Sequence, residues 1–258
     1  MRALYAAATG LSAQQTRIDN IANNLANVST TGFKKSREVF EDLVYQEMTV
    51  GDPSEQVRRP NQVQVGTGTR VVSVARDFTP GSIQYTGDEL NVAISGDGFF
   101  VVESQDGIPR YTRDGHFTLN SDGELVTASG HQVSPGIQIP EGTTITIAED
   151  GTVSVIYTED PTDPVVVGTI EMVDFANPGG LQAVGSNMYL GTPESGEPIP
   201  MDPNDGTVSL QQGFLEASNV DVAEELVAMI VAQRAFELTS KVMEAADETM
   251  QTVTNLKR

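Results

Sequence analysis

The residues that could carry out catalysis are few and dispersed. The chain has two histidines and no cysteine, which leaves little material for a zinc site or a thiolate nucleophile. The acidic pairs Glu149-Asp150 and Glu159-Asp160 could act as general acid and base on a glycosidic bond. Among 36 acidic residues such pairs also arise by chance, so they indicate catalysis only weakly. We therefore expect no catalytic, cofactor-binding or metal-binding residues. Both histidines should be exposed at turns: His116 and His131.

The charge of the chain is strongly acidic and unevenly distributed. The net charge is −21, yet residues 1–40 carry +3 and the remainder −24. No Lys or Arg occurs from Asp114 to Gln233. Such a surface repels phosphate groups, which argues against nucleic acid and anionic membranes as partners. The longest apolar run, Leu226–Ala232, is far shorter than the ~20 residues of a membrane-spanning helix.

Both ends of the chain carry a seven-residue apolar repeat, which predicts two long helices. A narrow apolar seam of this kind requires another helix against it. We expect the N-terminal helix to end near Val28 and the C-terminal helix, which Asp221 should cap, to end near Leu256. The N-terminal seam comprises Leu4, Leu11, Ile18, Ile21, Leu25 and Val28. The C-terminal seam comprises Val222, Leu226, Met229, Phe236, Met243, Ala246, Met250 and Val253.

Four asparagines follow one side of the predicted N-terminal helix. Asn20, Asn23, Asn24 and Asn27 have the spacing i, i+3, i+4 and i+7, which places their amides on one face. Asn is a mediocre helix former, so this stripe is locally costly. It is either a hydrated face or a face whose amides bond neighbouring subunits and fix their register.

A turn and a group of basic residues should follow the first helix. Gly32 can take the left-handed conformation that ends a helix, and Ser29, Thr30, Thr31 and Phe33 surround it. Basic residues after a helix C-terminus complement its dipole. We expect a surface patch there, placed against the acidic body of the chain: Lys34, Lys35 and Arg37.

The middle of the chain reads as β structure. Asp-Gly pairs begin at residues 97, 106, 114 and 122 between short apolar runs, and this is the strongest local signal for β-hairpins. The predicted fold class is α+β, with paired terminal helices, an extended hairpin and a central antiparallel meander, barrel or sandwich. The expected boundaries are 1–35 for the first helix, 36–69 for the hairpin, 70–215 for the β domain and 216–258 for the last helix.

Several long stretches of the chain resemble bacterial flagellar rod and hook proteins. The N-terminal motif is carried by residues 11–15 and 18–34, and the Asn-rich part of it is highly specific. The C-terminal helix is similar at residues 216–221, 229–230, 233–237 and 241, and residues 90–113 resemble the β domain of that family. Within the family, residues 40–46 and the insertion 47–65 resemble the distal rod subunits, in which that stretch is implicated in making the rod straight. Residues 58–62 depart from the familiar version, so its contacts cannot be transferred residue by residue.

The resemblance implies a structural role. It implies a subunit of the distal rod that polymerises into a rigid hollow drive shaft and transmits motor torque to the hook. The implied partners are further copies of the chain, the proximal rod and hook proteins, the surrounding peptidoglycan and outer-membrane rings, and the rod cap. It also implies export through the flagellar type III apparatus without a cleaved signal peptide. The alternatives are a proximal rod protein and, in a different class, a secreted enzyme that acts on the cell wall through an acidic pair.

The charge of the chain leads to a prediction about salt. Subunits that each carry −21 repel one another when they assemble, over a screening length of ~30 Å at 0.01 M salt but only ~8 Å at 0.15 M. We therefore expect purified subunits to polymerise more readily as salt rises, measured by light scattering across a salt series. Assembly that is fastest at the lowest ionic strength would contradict this prediction.

Overall fold

The computed structural model describes residues 2–48, 63–104, 106–140, 142–157, 160–201 and 208–256. The chain divides into two compact units. The helical unit comprises Met1–Leu25, Ser36–Ala75 and Asp221–Arg258, and the β unit comprises Ala26–Lys35 and Arg76–Val220. Most of the insertion that the sequence linked to rod straightness, residues 49–62, lies outside the described residues.

The two predicted helices are present and pack together within the helical unit. Helix α1 spans Arg2–Ala26 and helix α2 spans Val222–Leu256. They run antiparallel, because Asn24 of α1 contacts Glu225 of α2 while Gly10, a full fourteen residues earlier, faces Thr239. The Asp221 carboxylate caps α2, accepting hydrogen bonds from the N–H groups of Ala223 and Glu224 at 2.8 and 3.1 Å. The predicted pairing of the terminal helices is confirmed.

Four short strands complete the helical unit. Strand β1 (Ser36–Asp42) pairs with β4 (Thr69–Arg76), and β2 (Gln46–Met48) pairs antiparallel with β3 (Val63–Val65). An isolated two-stranded ribbon is only marginally stable in water. The β1–β4 ribbon therefore depends on packing against α1. Strand β4 continues to Arg76, whereas the sequence placed the end of the extended hairpin at residue 69.

The β unit consists of sixteen described strands, and all of their described pairings are antiparallel, as the sequence predicted. The strands are β5 (Ile83–Tyr85), β6 (Val92–Ser95), β7 (Phe99–Glu103), β8 (Pro109–Thr112), β9 (Phe117–Leu119), β10 (Leu125–Thr127), β11 (Gln132–Val133), β12 (Thr143–Ile147), β13 (Thr152–Tyr157), β14 (Asp160–Thr169), β15 (Met172–Asp174), β16 (Gln182–Gly185), β17 (Met188–Leu190), β18 (Ile199–Pro200), β19 (Ser209–Gln212) and β20 (Phe214–Glu216).

Strand β7 is the centre of the β unit. It lies in a nine-stranded sheet with the path β16-β17-β8-β7-β11-β10-β9, and β15 pairs with it as well. Phe100 and Val102 point into one large core, whereas Phe99 and Val101 point into a second, aromatic core. Successive side chains of a strand point to opposite faces, so an uninterrupted apolar run is required where both faces are buried. Strands β12, β13 and β14 form a separate sheet that helps to enclose the larger core.

Only two of the four Asp-Gly pairs form the predicted hairpins. The pairs at 106 and 122 connect β7 to β8 and β9 to β10. The prediction is wrong for the pairs at 97 and 114, because β6 pairs with β19 rather than β7, and β8 does not pair with β9. At these two corners glycine permits close packing. A Cβ atom on Gly115 would overlap the carbonyl oxygen of Val92, and one on Gly98 would lie 2.9 Å from Met201 Sδ.

The expectation that both histidines are exposed is also wrong. His116 and His131 are both half-buried. His116 forms an isolated antiparallel β-bridge with Asn91, and this pairing partly buries it. His131 lies between β10 and β11, and its backbone N–H bonds the Thr127 hydroxyl at 3.2 Å.

The distinction between corners and hairpins can be tested with matched glycine substitutions. Gly115→Ala should lower the free energy of unfolding of the β unit by about 3 kcal/mol, because the new methyl group has no space. Gly107→Ala, in the β7–β8 hairpin, should cost only about 1 kcal/mol, since its φ of +72° is strained for alanine but the surroundings are open. Urea denaturation measures both, and equal costs would contradict the assignment of Gly115 as a packing glycine.

Candidate assembly site and chain junction

Small side chains allow α1 and α2 to approach closely. The fully buried apolar residues of the two helices include three alanines, and Gly10 also lies in the contact. Small residues at a helix contact let the backbones come together. A search for a seven-residue repeat of large apolar residues overlooked these positions. Among the described side chains of the two helices, the buried apolar residues are the overlooked Ala7, Ala13 and Ala232 together with Ile21 of the predicted seam.

The predicted seam residues differ in how deeply they are buried. Those of α1 are buried or half-buried: Leu4, Leu11, Ile18, Ile21, Leu25 and, just after the helix, Val28. Those of α2 divide into two groups. Half-buried are Met229, Phe236, Met243 and Ala246, and exposed are Val222, Leu226, Met250 and Val253. Their role in self-assembly stays a prediction.

A second apolar row on α2 faces solvent in the single chain. Its members follow one another at spacings of four, seven, four and eleven residues, which keep them on one side of a helix. Only Val253 of this row was in the predicted seam, although Val231 and Leu238 also have the seven-residue spacing. We call this set the outer row, and more than half of each residue is exposed: Val227 (61%), Val231 (53%), Leu238 (63%), Val242 (56%) and Val253 (58%).

Asn24 and Asn20 of the asparagine stripe bond to β1 within the helical unit. The Asn24 side chain accepts a hydrogen bond from Ser36 N–H and donates one to Ser36 O, both at 2.9 Å, as a neighbouring strand would. Its Nδ2 also lies 3.4 Å from Glu225 Oε2, so one buried carboxamide joins α1, β1 and α2. Asn20 donates to Ser36 O and to Glu38 Oε2 at 2.9 and 2.7 Å. Bonding both the N–H and the C=O of Ser36 requires a short side chain that has a donor and an acceptor, as Asn24 has.

The other two asparagines lie elsewhere. Asn27 is half-buried beyond the end of α1, and its Oδ1 accepts a hydrogen bond from the Thr30 hydroxyl at 3.3 Å. Asn23 is exposed. The hypothesis that the stripe faces neighbouring subunits stays a prediction, and Asn20 and Asn24 also bond within the helical unit.

The end of the N-terminal motif is part of the β unit. The Thr31 hydroxyl donates to Asp114 Oδ1 at 2.8 Å, and Asn187 Nδ2 donates to Thr31 O at 2.9 Å. Gly32 adopts a φ of +65°, and its N–H donates to Glu216 O at 2.9 Å. A Cβ on Gly32 would lie 2.7 Å from the Arg113 carbonyl carbon. Both the positive φ and this close approach therefore require glycine at position 32. Phe33 is buried.

The predicted basic surface patch is wrong for Lys34. Its side chain is buried and its Nζ donates to Glu216 Oε1 at 2.6 Å and to Thr79 O at 2.8 Å. The Glu216 carboxylate also accepts from Gly81 N–H at 2.7 Å and lies 3.2 Å from Arg113 Nε. The buried ammonium of Lys34 is compensated within the β unit, by Glu216 above all and also by Asp77.

Two buried cations share the one carboxylate of Glu216. Burial lowers the pKa of Lys34, the nearby Arg113 lowers it further, and Glu216 opposes both effects. Burial also lowers the pKa of Arg113, again opposed by Glu216. Arg113 reduces its desolvation cost by donating to Gly98 O and Gly96 O, each at 2.9 Å. The cluster is thus held by hydrogen bonds as well as by charge.

The described residues contain no group of His, Asp and Glu side chains placed to hold a metal ion. In the acidic pair 149–150, Asp150 accepts a hydrogen bond from Thr152 N–H at 2.9 Å, as a turn residue does, and this bond lowers its pKa. Glu159 of the second pair lies outside the described residues. Neither described helix is long and apolar enough to cross a membrane.

The two-sided bonding of Asn24 leads to a test. Asn24→Asp removes the donor to Ser36 O and places a second carboxylate beside Glu225, so the free energy of unfolding of the helical unit should fall by about 2 kcal/mol. The control is Asn23→Asp, which adds the same charge at an exposed position of the same helix. Far-UV circular dichroism during urea denaturation measures both, and equal stabilities of the two variants would contradict the proposed role of Asn24.

Comparison with known proteins identifies the family. Three family models match: "Flagella basal body rod protein" at residues 4–34, "Flagellar hook protein FlgE/F/G D1 domain" at residues 93–155, and "Flagellar basal body rod FlgEFG protein C-terminal" at residues 211–256. The first match ends at Lys34 and the third includes Glu216, the two ends of the buried ion pair.

Full-length relatives agree with these matches. The flagellar basal-body rod protein FlgG of Borreliella burgdorferi is 48% identical over 100% of this chain and 99% of its own length. FlgG of Buchnera aphidicola from Acyrthosiphon pisum is 46% identical over 98% of each chain, and that of Bacillus subtilis is 40% identical over the whole of both. Identity of this extent, along the entire length and through both helices, shows that the chain belongs to the family of flagellar basal-body rod proteins.

Proposed function

We propose that this chain is the structural subunit of a flagellar distal rod, which polymerises into a rigid hollow shaft and transmits motor torque to the hook. Full-length similarity to rod proteins named FlgG supports the identity of the subunit. The observation that carries the polymerisation is the outer row of α2, which leaves apolar side chains exposed along most of a 35-residue helix.

The outer row has the properties of a contact surface for a helix. Its residues are branched and apolar, and their spacing matches the narrow stripe through which one helix packs on another. A contiguous exposed apolar surface of this kind marks an interaction site in a soluble protein. The inner face of α2 already packs on α1, so the outer row can accept a helix from a second copy. A contact between the outer row of one copy and a different surface of the next is heterologous and can continue into a helical polymer.

The remaining parts of the proposal concern partners and location. The subunit acts without catalysis and bonds to further copies of itself, to proximal rod and hook proteins and to the rod cap, inside the peptidoglycan and outer-membrane rings. It is exported by the flagellar type III apparatus without cleavage of a signal peptide and assembles in the periplasm. The negative charge of −21 supports the absence of nucleic-acid partners, because such a surface repels phosphates.

The outer row can be tested by a single charge. Leu238→Glu keeps a good helix former but places a carboxylate in the middle of the row, so it should leave the monomer folded and abolish polymerisation. Each subunit contact would lose about 2 kcal/mol of apolar burial and would have to desolvate a charge. Sedimentation velocity and electron microscopy of the purified protein measure the loss.

The control is Gln233→Glu, which adds the same charge to an exposed position of α2 outside the outer row. This variant should polymerise as the wild type does. The proposal is contradicted if Leu238→Glu assembles at the same protein concentration as the wild type. Loss of assembly in both variants would instead point to the total charge of α2.

A further inference from the structure

Helix α1 has one narrow exposed face, and its other sides are covered within the helical unit. Apart from Asn23 at its edge, this face contains every exposed residue among the described side chains of the helix. Its positions recur alternately after three and four residues, which keeps them on one side of a helix and gives the width of a single helix contact. We call this set the open face: Tyr5, Ala8, Ser12, Gln15, Asp19, Ala22 and Ala26.

The open face and the outer row of α2 have complementary shapes. Four positions of the open face carry alanine or serine, which leaves shallow holes between them: Ala8, Ser12, Ala22 and Ala26. The outer row consists of valine and leucine, and branched side chains of this size fill such holes when two helices pack. At ~1.5 Å per residue the open face is roughly 32 Å long and the outer row roughly 39 Å, so the two surfaces also match in length.

The charges of the two helices favour a contact between α1 and α2 over one between two copies of α2. Helix α1 contains two basic residues and one acidic residue, a net charge of +1, whereas α2 contains two basic and six acidic residues, a net charge of −4. Two outer rows packed on each other would bring −4 against −4. Such a contact would also be isologous and would end at a dimer.

One charged residue on each surface fixes where they meet. Asp19 is the only charged residue of the open face, and it is exposed. Lys241 is also exposed and follows Leu238 of the outer row by three residues, so it lies beside the row on the same side of α2. Arg234, on the other side of Leu238, already pairs with Glu237 at 2.7 Å. Lys241 is therefore the cation that can face Asp19 of another copy.

Asp19 and Lys241 do not meet within one chain. The antiparallel register of α1 and α2 places Lys241 level with Ala8. Asp19 lies about eleven residues from that level, which is roughly 16 Å along the helix axis. A direct contact between Asp19 and Lys241 therefore reports on two copies of the chain.

We infer that the open face of α1 receives the outer row of α2 from the next copy, with Asp19 of one copy beside Lys241 of the next, and this inference rests on the proposed function. Every copy carries one of each surface, so the same heterologous contact repeats from copy to copy. The apolar side chains hold the contact, and the charge pair selects its register, as charged residues beside the seam of a coiled coil do.

Charge reversal tests the inference with the purified full-length chain. Asp19→Lys places a cation against Lys241 of the next copy, so it should raise the protein concentration at which polymers form about tenfold. Addition of Lys241→Glu to that variant restores a pair of opposite charges and should bring this concentration back to within about twofold of the wild type. Sedimentation velocity at one fixed ionic strength measures all three chains.

The control separates the position of the charge from its amount. It combines Asp19→Lys with Gln233→Glu and Gln251→Glu, which give the same net charge as the rescued chain from exposed positions of α2 outside the outer row. This chain should polymerise as poorly as Asp19→Lys alone. Rescue to the same extent as by Lys241→Glu would overturn the inference, because the total charge would then explain it.

Cysteine cross-linking gives an independent measurement, because the chain has no cysteine of its own. A disulfide requires two Cα atoms within about 7 Å of each other, so Asp19→Cys and Lys241→Cys in one chain can bond only between copies. Oxidised polymers of this double variant should give a ladder of covalent oligomers on a denaturing gel, since each chain has one cysteine on each surface. Each single variant should remain monomeric on the same gel.

The outcomes distinguish this inference from the proposed function. Wild-type chains that never polymerise, or polymers that still form with Leu238→Glu, would overturn both. If the wild type polymerises and Leu238→Glu does not, polymers of the double cysteine variant that oxidise without a ladder would overturn the inference alone. Covalent dimers of Lys241→Cys by itself would do the same, because they would place two outer rows against each other.

Discussion

The arrangement of the β unit depends on one buried carboxylate. Glu216 is 2% exposed and holds two buried cations, Lys34 and Arg113, on opposite sides of its oxygens. Transfer of these charges out of water is costly, and replacement by apolar residues of similar volume could be equally stable. The ion pairs favour one arrangement, because both cations approach the same carboxylate within the β unit. Through Glu216, a segment near residue 34 is fixed to one that lies 182 residues later in the chain.

The features that the sequence predicted correctly are those that local patterns determine. The seven-residue repeats located both helices. The cap at Asp221 was recognisable from this residue and the acidic Glu224 and Glu225 that follow it. The Asp-Gly pairs at 106 and 122 form hairpins, whereas those at 97 and 114 do not. The dipeptide is the same in all four cases, so the difference lies in which strand approaches from elsewhere. At Gly115 that neighbour is the Val92 carbonyl, and no local pattern contains this information.

The errors at the candidate site have the same origin. Lys34 stands in a run of basic residues after a helix, which is a reasonable surface pattern, yet its partners Thr79 and Glu216 are distant in sequence. Three of the four stripe asparagines, Asn20, Asn23 and Asn24, lie on α1 as predicted. Its use was not predictable, because Ser36 reaches Asn24 only after the chain has turned at Gly32. Polar residues that bond across long sequence separations are therefore the part of this site that sequence patterns describe least well.

Polar contacts determine the geometry within each unit, whereas the exposed apolar side chains of α2 are available for packing on another helix. The buried polar groups, Asn24 in the helical unit and Glu216 in the β unit, make directional bonds that admit one arrangement within the chain. The exposed outer row of α2 makes no directional demands and can pack on any helix with a matching stripe. Apolar association alone would be permissive, but the charge of −21 opposes contacts that bring acidic surfaces together. Directional polar bonds therefore determine the geometry within each unit, whereas the exposed outer row of α2 is left for the proposed contacts between copies.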